Sequence, residues 1–319
     1  MSAELIIQNG KKLYSPAVQE SIEWETERVG EPGKLTFKVM DDKDLKIEEG
    51  NAVRFKWNDH NIFYGWIFSI KHDKDKIRTI TCYDQLRYFK NKDTYVYKNK
   101  TAGQVIKMIA KDFGLKTGTI ADTKFKIKSR VEDSQTLFDI VQNALDLTLT
   151  NKKKLYVFYD NFGKLTLKSL SDMKTDILID EETAENYDFS SSIDEATYNK
   201  IKLIYDNKKT GKRDVYIAQH GKNMNKWGVL QYYDKLQDGE NGKSKANALL
   251  KLYNAKTRKL TIKNTKGSTK VRAGSMVVVM LNLGEKKIQN YMLVESCKHT
   301  FKLDEHMMEL KLRGGEFSE

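Results

Sequence analysis

The sequence predicts a mainly β protein of the α+β class, with two similar small antiparallel β-barrel modules and an α+β unit between them. Three observations predict this fold. Apolar and polar residues alternate through the first 90 residues and again after residue 199. Between these regions the apolar period changes from about 2 to about 3.6 residues. Several segments of the first region recur near the end of the chain, which indicates an internal repeat.

The first 90 residues have the pattern of short strands joined by turns. The alternating segments are residues 34–39, 52–57, 62–68 and 77–83. A turn predicted at residues 58–61 joins two of them, as in a β-hairpin. We therefore place the first β-barrel module at residues 1–96, with Gly65 at a bend or bulge.

Helical periodicity begins at Thr101, where Thr101 and Gln104 have the spacing of a capping box. The first apolar stripe is Val105, Ile106, Ile109, Ala110 and Phe113, and Gly114 follows it. A second helix is predicted to begin near Ser134, with the stripe Leu137, Phe138, Val141, Ala144 and Leu145. A hairpin follows at residues 154–159 and 164–170. We assign these elements to an α+β domain at residues 97–176, because such stripes are typical of a packed core.

Strands return from Asn199 onward. The elements predicted here are strands at residues 200–205 and 213–219, a turn at 207–211 and a basic helix at about 244–256. We assign residues 177–257 to a β-hairpin and helical segment linked to the second barrel. Residues 258–319 form the remainder of the second β-barrel module.

The repeat is visible in the order and spacing of matching segments. Residues 34–38 recur as 259–263, 47–53 recur as 271–277, and 69–72 recur as 296–299. The paired positions singled out are Gly50, Tyr64 and His72 with Gly274, Tyr291 and His299. Hairpins of similar length also share alternation for purely physical reasons, but we favour duplication. Each glycine would then permit a tight turn into a buried strand.

No catalytic, cofactor-binding or metal-binding pattern is present in the sequence. The five histidines are His60, His72, His220, His299 and His306, and no two have the spacing of metal ligands on a helix. There is no nucleophile elbow, phosphate-binding glycine loop or dinucleotide fingerprint. We expect Cys82 and Cys297 to be partly buried thiols, and the acidic residues near 180–185 to be solvated. The sequence therefore predicts a protein that is not an enzyme.

The net charge of +12 suggests a nucleic-acid-binding protein, but only nine of the 56 basic residues are Arg. A lysine excess is more typical of a solvated surface than of base or phosphate recognition. The charge is also local. Residues 90–130 and 201–280 are basic, and residues 131–200 carry 7 basic against 14 acidic residues. These blocks could pair within one chain or between copies.

No apolar run reaches the roughly 20 residues that span a bilayer. The first ten residues lack a basic start followed by an apolar run and a cleavage site. We expect no membrane partner and no export by a signal peptide.

With the paired segments 34–72 and 259–299 and the central unit 101–170, the chain resembles the XkdQ/YqbQ-type tail proteins of prophages from Gram-positive bacteria. These resemble the central hub of contractile phage baseplates, R-type bacteriocins and related injection systems. The resemblance covers most of the chain.

The resemblance implies a homotrimeric baseplate hub in a virion or phage-tail-like particle, assembled in the bacterial host cytoplasm. Six modules around one axis would adapt a hexameric tail tube, or its initiator protein, to a trimeric spike, with other baseplate proteins nearby. It implies no cofactor, and nucleic acid at most passing through the channel.

Two other functions stay open from the sequence. A tail-associated peptidoglycan-binding or hydrolase protein is one, because such activities accompany baseplates. A basic nucleic-acid-binding module is the other, and steep salt dependence of DNA binding would favour it.

Overall fold

The computed structural model describes residues 2–194, 196–207, 210–236, 240–282 and 287–314. Within these residues strand predominates over helix, and most strand pairs are antiparallel. The predicted mainly β, α+β class is confirmed.

The first strand set contains seven strands. They are β1 (Ala3–Asn9), β2 (Lys12–Tyr14), β3 (Val18–Glu27), β4 (Lys34–Met40), β5 (Ala52–Trp57), β6 (His60–His72) and β7 (Ile77–Tyr83). They pair in the order β3-β4-β7-β6-β5-β1-β2. The β5–β6 turn is tighter than predicted, because Trp57 already faces His60 and only Asn58 and Asp59, both with positive φ, lie between them.

The central unit packs two helices against short strands. A 3-10 helix (Gln85–Lys90) leads into β8 (Lys92–Lys100), α1 (Ala102–Asp112), β9 (Thr117–Ile120), β10 (Ile127–Thr136), α2 (Leu137–Lys152), β11 (Tyr156–Asp160) and β12 (Leu165–Ser169). The Thr101–Gln104 capping box is confirmed, and Gly114 follows α1 with φ +64°. Helix α2 begins three residues later than predicted, because Ser134 belongs to β10, which pairs with β8.

The second strand set is split by an insertion. Its first strands are β13 (Lys174–Asp180) and β14 (Ala184–Ser192). The insertion contains β15 (Lys200–Asn207), β16 (Lys212–Gln219), α3 (Gly221–Trp227), β17 (Gln231–Lys235) and α4 (Gly242–Tyr253). The set resumes with β18 (Thr257–Lys266), β19 (Met276–Asn282), β20 (Lys287–Phe301) and β21 (His306–Gly314). The predicted hairpin and basic helix lie in the insertion; residues 208–209 of its turn fall outside the described residues.

All three predicted domain boundaries fall inside strands, and the last of them, between residues 257 and 258, follows the first residue of β18. Residue 96 lies in the middle of β8, and residue 176 lies in β13. Strand β8 was missed because its segment is mostly polar, and only the alternate Tyr95 and Tyr97 are buried. Its partner β10 belongs to the central unit, so β8 belongs there too.

The two strand sets follow the same order of pairing. The second set runs β14-β18-β21-β20-β19-β13, as the first runs β3-β4-β7-β6-β5-β1. The last pair differs, because β1 is antiparallel to β5 whereas β13 is parallel to β19. Pairing of β20 with β3 joins the sets into one sheet of thirteen strands. The path of pairing is open within the described residues, so closure of either set into a barrel stays a prediction.

Candidate functional site

The two strand sets meet at a ladder between β3 and the second half of β20, here called the joint. Residues 296–301 of β20 run antiparallel to residues 22–27 of β3. The same stretch of β20 pairs with β21 on its other side. Both edges of β20 are therefore covered here, and the joint makes the two sets one continuous sheet.

Polar side chains connect the two strands on the outer face of the joint. The Nζ atom of Lys298 lies 2.8 Å from Oε1 of Glu23. The hydroxyl of Ser296 donates to Oε1 of Glu27 at 2.7 Å. These partly exposed contacts add little stability individually, but they favour one register of the ladder.

The inner face of the joint is buried and aromatic. The Trp24 and His299 rings stack with centroids 4.9 Å apart, and the side chains are 5% and 0% exposed. The hydroxyl of Thr26, also buried, accepts a hydrogen bond from the backbone N–H of Ala273 at 3.0 Å. Strand β3 is thus held by both β20 and the turn that precedes β19.

A pair of imidazoles lies beside the joint, in contact with two other polar groups. His299 Nε2 lies 3.0 Å from the carbonyl oxygen of Val271, and its Nδ1 lies 2.8 Å from His306 Nε2. Because a carbonyl only accepts, His299 carries its proton on Nε2, and its Nδ1 accepts from His306. The sulfur of Cys297 is 3.1 Å from the same Nε2.

Both imidazoles are held neutral by their surroundings. Burial, together with the nearby charges of His306 and Arg272, lowers the pKa of His299 to about 3. Burial lowers the pKa of His306 to about 4. Burial also raises the pKa of the Cys297 thiol, so this group stays protonated. The cluster is therefore a neutral hydrogen-bonded core at pH 7.

A buried arginine connects the joint to the central unit. The guanidinium carbon of Arg272 lies 4.1 Å from the centroid of the Tyr159 ring and 5.6 Å from that of Trp24. Its Nη1 donates to the backbone carbonyl of Asp160 at 2.8 Å. Since Trp24, Tyr159 and Arg272 come from three different parts of the chain, this contact ties the first strand set, the central unit and the second strand set together.

Two buried carboxyl groups lie near Arg272. Burial raises the pKa of Asp84 well above its usual value, and the charge of Asp160 raises it further. Burial likewise raises the pKa of Asp160. The positive charge of Arg272 opposes both shifts, and Asp84 accepts hydrogen bonds from the backbone N–H groups of Gly33 (3.0 Å) and Leu86 (2.9 Å). Removing Arg272 would leave these two buried carboxyl groups without the positive charge that offsets the cost of burying them.

The structure places Gly50 and Gly274 in turns with the same hydrogen bonds. Their φ angles are +87° and +91°. The N–H of Gly50 donates to the carbonyl of Ile67 at 2.8 Å, and that of Gly274 donates to the carbonyl of Val294 at 2.7 Å. Both glycines therefore adopt a conformation that other residues rarely adopt, at the same point of a strand-to-strand contact.

Tyr64 and Tyr291 also occupy matching register positions. Tyr64 faces Arg54 across β5 and β6, and Tyr291 faces Val278 across β19 and β20. The two facing residues, Arg54 and Val278, are 224 residues apart in the sequence, as are Gly50 and Gly274. The β6–β7 and β20–β21 ladders even share a register shift, between 67 and 69 and between 294 and 296.

His72 and His299 have matching register but different surroundings. His72 faces Arg78 and is exposed at the end of β6, whereas His299 faces Met308 and is fully buried. Matching register therefore does not give the two histidines a common environment. Strand β3 covers His299, whereas no described strand covers the corresponding outer edge of β6.

The residues of this site that the sequence reasoning missed include Trp24, Arg272 and His306. Trp24 could have been found, because Ile22 and Trp24 alternate with glutamates along β3 in the pattern of a half-buried strand. Arg272 carries no such signal, because its position in the repeat is Glu48 in the first copy. His306 lacked a matching histidine in the first region.

Substituting each turn glycine by alanine is expected to have unequal effects. At Gly50 a Cβ would meet nothing within 4 Å, so Gly50→Ala should lower the free energy of unfolding by about 1–2 kcal/mol, from positive φ alone. At Gly274 the Cβ would lie 2.2 Å from Val157 Cγ1, which adds about 1–3 kcal/mol of overpacking. Urea denaturation of both variants measures the difference.

The Val157→Ala variant provides the internal control. If the clash is the cause, Gly274→Ala combined with Val157→Ala loses less stability than the sum of the single variants. Equal losses for Gly50→Ala and Gly274→Ala would contradict the steric explanation.

Other site types receive no support within the described part of the chain. No group of three or more His, Cys, Asp or Glu side chains is placed to hold a metal ion there. Among the helices that the structure describes, none combines the length and apolarity needed to cross a membrane. Cys82 and Cys297 are both free and buried.

Comparison with known sequences identifies the family. The sequence model of the YqbQ-like family matches residues 22–313. The chain belongs to the YqbQ-like family. It is also 31% identical over 303 residues to the phage-like element PBSX protein XkdQ of Bacillus subtilis strain 168, covering 91% of each chain. The resemblance to XkdQ/YqbQ-type proteins is therefore confirmed.

Solved structures with the same fold include proteins of tails and of a secretion system. The 43 kDa tail protein of prophage MuSo2 from Shewanella oneidensis superimposes with a TM-score of 0.72 at 12% identity, over 97% of this chain and 98% of that one. The E. coli c3393 protein has a TM-score of 0.58 at 10% identity, over 98% of this chain and 78% of that one. It is described as a type VI secretion component similar to the T4 tail proteins gp27 and gp5. At these identities the likeness establishes the fold of this chain.

Proposed function

We propose that this chain is a structural hub of a phage tail or phage-tail-like particle, acting as a homotrimeric ring between a hexameric tail tube and a trimeric spike. The observation that carries the proposal is the matching order and register of the two strand sets. Three chains with two like modules each present six near-equivalent modules around one axis. Each of the six modules in the trimeric ring can then contact the hexameric tube.

The pairs Gly50 and Gly274, Tyr64 and Tyr291, and His72 and His299 are, in this proposal, equivalent positions of a duplicated module. Their equivalence is supported by matching strand register and, for the glycines, by matching hydrogen bonds. The central unit and the insertion at residues 200–253 are then additions that distinguish the two module environments.

The relatives support a tail function. XkdQ belongs to a phage-like element, and the Shewanella protein is a prophage tail protein. The E. coli protein is a type VI secretion component with structural similarity to the T4 tail proteins gp27 and gp5, which connects this fold to tail proteins. We place the present chain in the same class of structural proteins, with tube, spike and other baseplate proteins as partners and without catalytic activity.

The test is the mass and symmetry of the assembled protein. Light scattering of the purified chain, alone and with the tube and spike proteins of its source tail, should give three chains per particle. Electron microscopy should show a ring at the end of the tube. A monomer in every mixture would contradict the proposal, and clearing of purified cell wall in a zymogram would contradict the absence of catalysis.

A further inference from the structure

Within the described residues, one edge of β14 and part of one edge of β6 have no strand paired with them. Strand β14 ends the thirteen-stranded sheet, so only its side toward β18 is paired. On its side toward β5, strand β6 is paired with β5 and with the turn before β5 only as far as Ile67. Residues 68–72 have no paired strand on that side within the described residues. Exposed edges of this kind are templates for pairing with another chain.

The joint inside the chain shows how such edges pair. Residues 69–72 of β6 correspond to residues 296–299 of β20. In both the β6–β7 ladder and the β20–β21 ladder, these residues come directly after the same register shift. Strand β14 has the position of β3: Phe189 faces Leu260 as Trp24 faces Leu35. Residues 189–192 therefore correspond to residues 24–27. The free edges of β6 and β14 are the counterparts of the two strands that pair in the joint.

We propose that β6 of one chain pairs antiparallel with β14 of a second copy, with the register of the joint. Ser69 then faces Ser192, Lys71 faces Ser190, and His72 faces Phe189. This inference rests on the proposed trimeric ring and specifies its interface. The contact is head-to-tail, because β6 and β14 lie in different strand sets, and such contacts form a ring when the rotation between copies closes.

Charge at the free edges agrees with this register. In the joint, Lys298 pairs with Glu23 at 2.8 Å. The counterparts are Lys71 and Asp188, which have the same charges and are both exposed. In the single chain Asp188 lies 3.0 Å from Lys263. The neighbouring Lys71 would add a second cation to this carboxylate.

The inner face repeats two further contacts of the joint. Thr26, which accepts from the N–H of Ala273, corresponds to the hydroxyl residue Ser191. The stack of Trp24 on His299 corresponds to Phe189 against His72. His72 is exposed in the single chain, and pairing with β14 would cover it as β3 covers His299.

The matching of His72 with His299 in the sequence receives a physical explanation from this interface. One histidine is covered by a strand of its own chain, and the other by a strand of the next copy. In a trimer, one continuous sheet then crosses the joint within each chain and a β6–β14 ladder between neighbouring chains. Both strand edges that invite aggregation are removed.

Cysteine cross-linking tests the register directly. The matched variant is Ser69→Cys with Ser192→Cys, whose side chains would face each other on the outer face. The control is Ser69→Cys with Ser190→Cys, which shifts one partner by two residues on the same face and moves it to the diagonal distance. Native Cys82 and Cys297 are buried and should not compete. Light scattering first establishes the oligomeric state, and oxidation followed by denaturing electrophoresis then shows covalent oligomers.

We expect the matched variant to give covalent dimers and trimers in several-fold greater yield than the control, and each single-cysteine variant to give none larger than a dimer. A trimer that cross-links equally in both variants, or in neither, would overturn the ladder and leave the trimeric hub intact. A protein that stays monomeric would overturn both proposals.

A charge exchange gives an independent readout. Lys71→Glu should raise the dissociation constant of the trimer by about two- to fivefold. Adding Asp188→Lys should recover part of that loss, because the pair is restored with opposite sign. Lys74→Glu, in the loop just beyond β6, is the matched control and should have a smaller effect. Loss without any recovery in the double variant would contradict the assigned pair.

Discussion

Replacing Arg272 by methionine is expected to lower the free energy of unfolding by about 3–5 kcal/mol, the usual cost of removing one partner from a buried charge cluster. The variant leaves Asp84 and Asp160 buried without their cation, and it removes the packing of the guanidinium on Tyr159 and Trp24. Chemical denaturation at pH 7 and a fixed protein concentration measures the loss, because assembly also stabilises the folded chain.

Two further variants separate charge from packing at this position. Arg213→Met removes an exposed arginine that pairs with Asp206 at 2.7 Å, and it should change stability little. Adding Asp84→Asn and Asp160→Asn to Arg272→Met should restore part of the lost stability, because no uncompensated carboxylate then remains. Wild-type stability in the Arg272→Met variant would show that the two acids are neutral at pH 7 and do not require the arginine.

Acidification is expected to destabilise the joint through the histidine pair. His299 and His306 have pKa values of about 3 and 4 in the folded protein, against about 6.5 when unfolded. The unfolded chain therefore binds protons that the folded chain excludes. Their contribution is complete above pH 6.5 and is lost progressively as the pH falls from there to about 4 for His306 and to about 3 for His299. The slope is about 1.4 kcal/mol per pH unit for His299, with a smaller part from the less buried His306.

The acidic pair acts in the opposite direction over part of this range. Because burial raises the pKa of Asp84 and Asp160, their protonation favours the folded state as the pH falls. The contribution of the two histidines to the pH dependence of stability is therefore measured as the difference between the wild type and a variant that lacks both. The double variant His299→Gln and His306→Gln should show a smaller loss of stability between pH 6.5 and 4 than the wild type.

Proton titration of the wild type avoids the question of whether the double variant folds. Nuclear magnetic resonance of the imidazole groups should show two histidines that remain neutral at pH 5. Titration of all five histidines above pH 5 would contradict the neutral hydrogen-bonded cluster.

Elements with a strong local signal were predicted well. The capping box at Thr101 and the apolar stripe that follows it define α1 by contacts within one turn. The alternation of residues 34–39, 52–57 and 77–83 was sufficient for three strands of the first set. Strands β8, β13 and β14 were missed because their exposed sides make the segments mostly polar, and β13 and β14 also pair with strands beyond the insertion.

The candidate site was predicted only in part. The turn glycines were singled out from the sequence because a short repeated motif contains them, and both have positive φ angles in the structure. The environments of the histidines were not predictable, because a buried and an exposed histidine have the same local sequence pattern. Burial of His299 depends on β3, more than 250 residues earlier in the chain.

By itself the sequence determined the mainly β class, the central helices and the paired segments with nearly constant spacing, because these follow from periodicity and local motifs. Only the tertiary structure decided that β20 pairs with β3, that Arg272 lies near Asp84 and Asp160, and that β6 and β14 keep free edges. Each of these depends on contacts between segments distant in the chain, and periodicity carries no information about which edges meet.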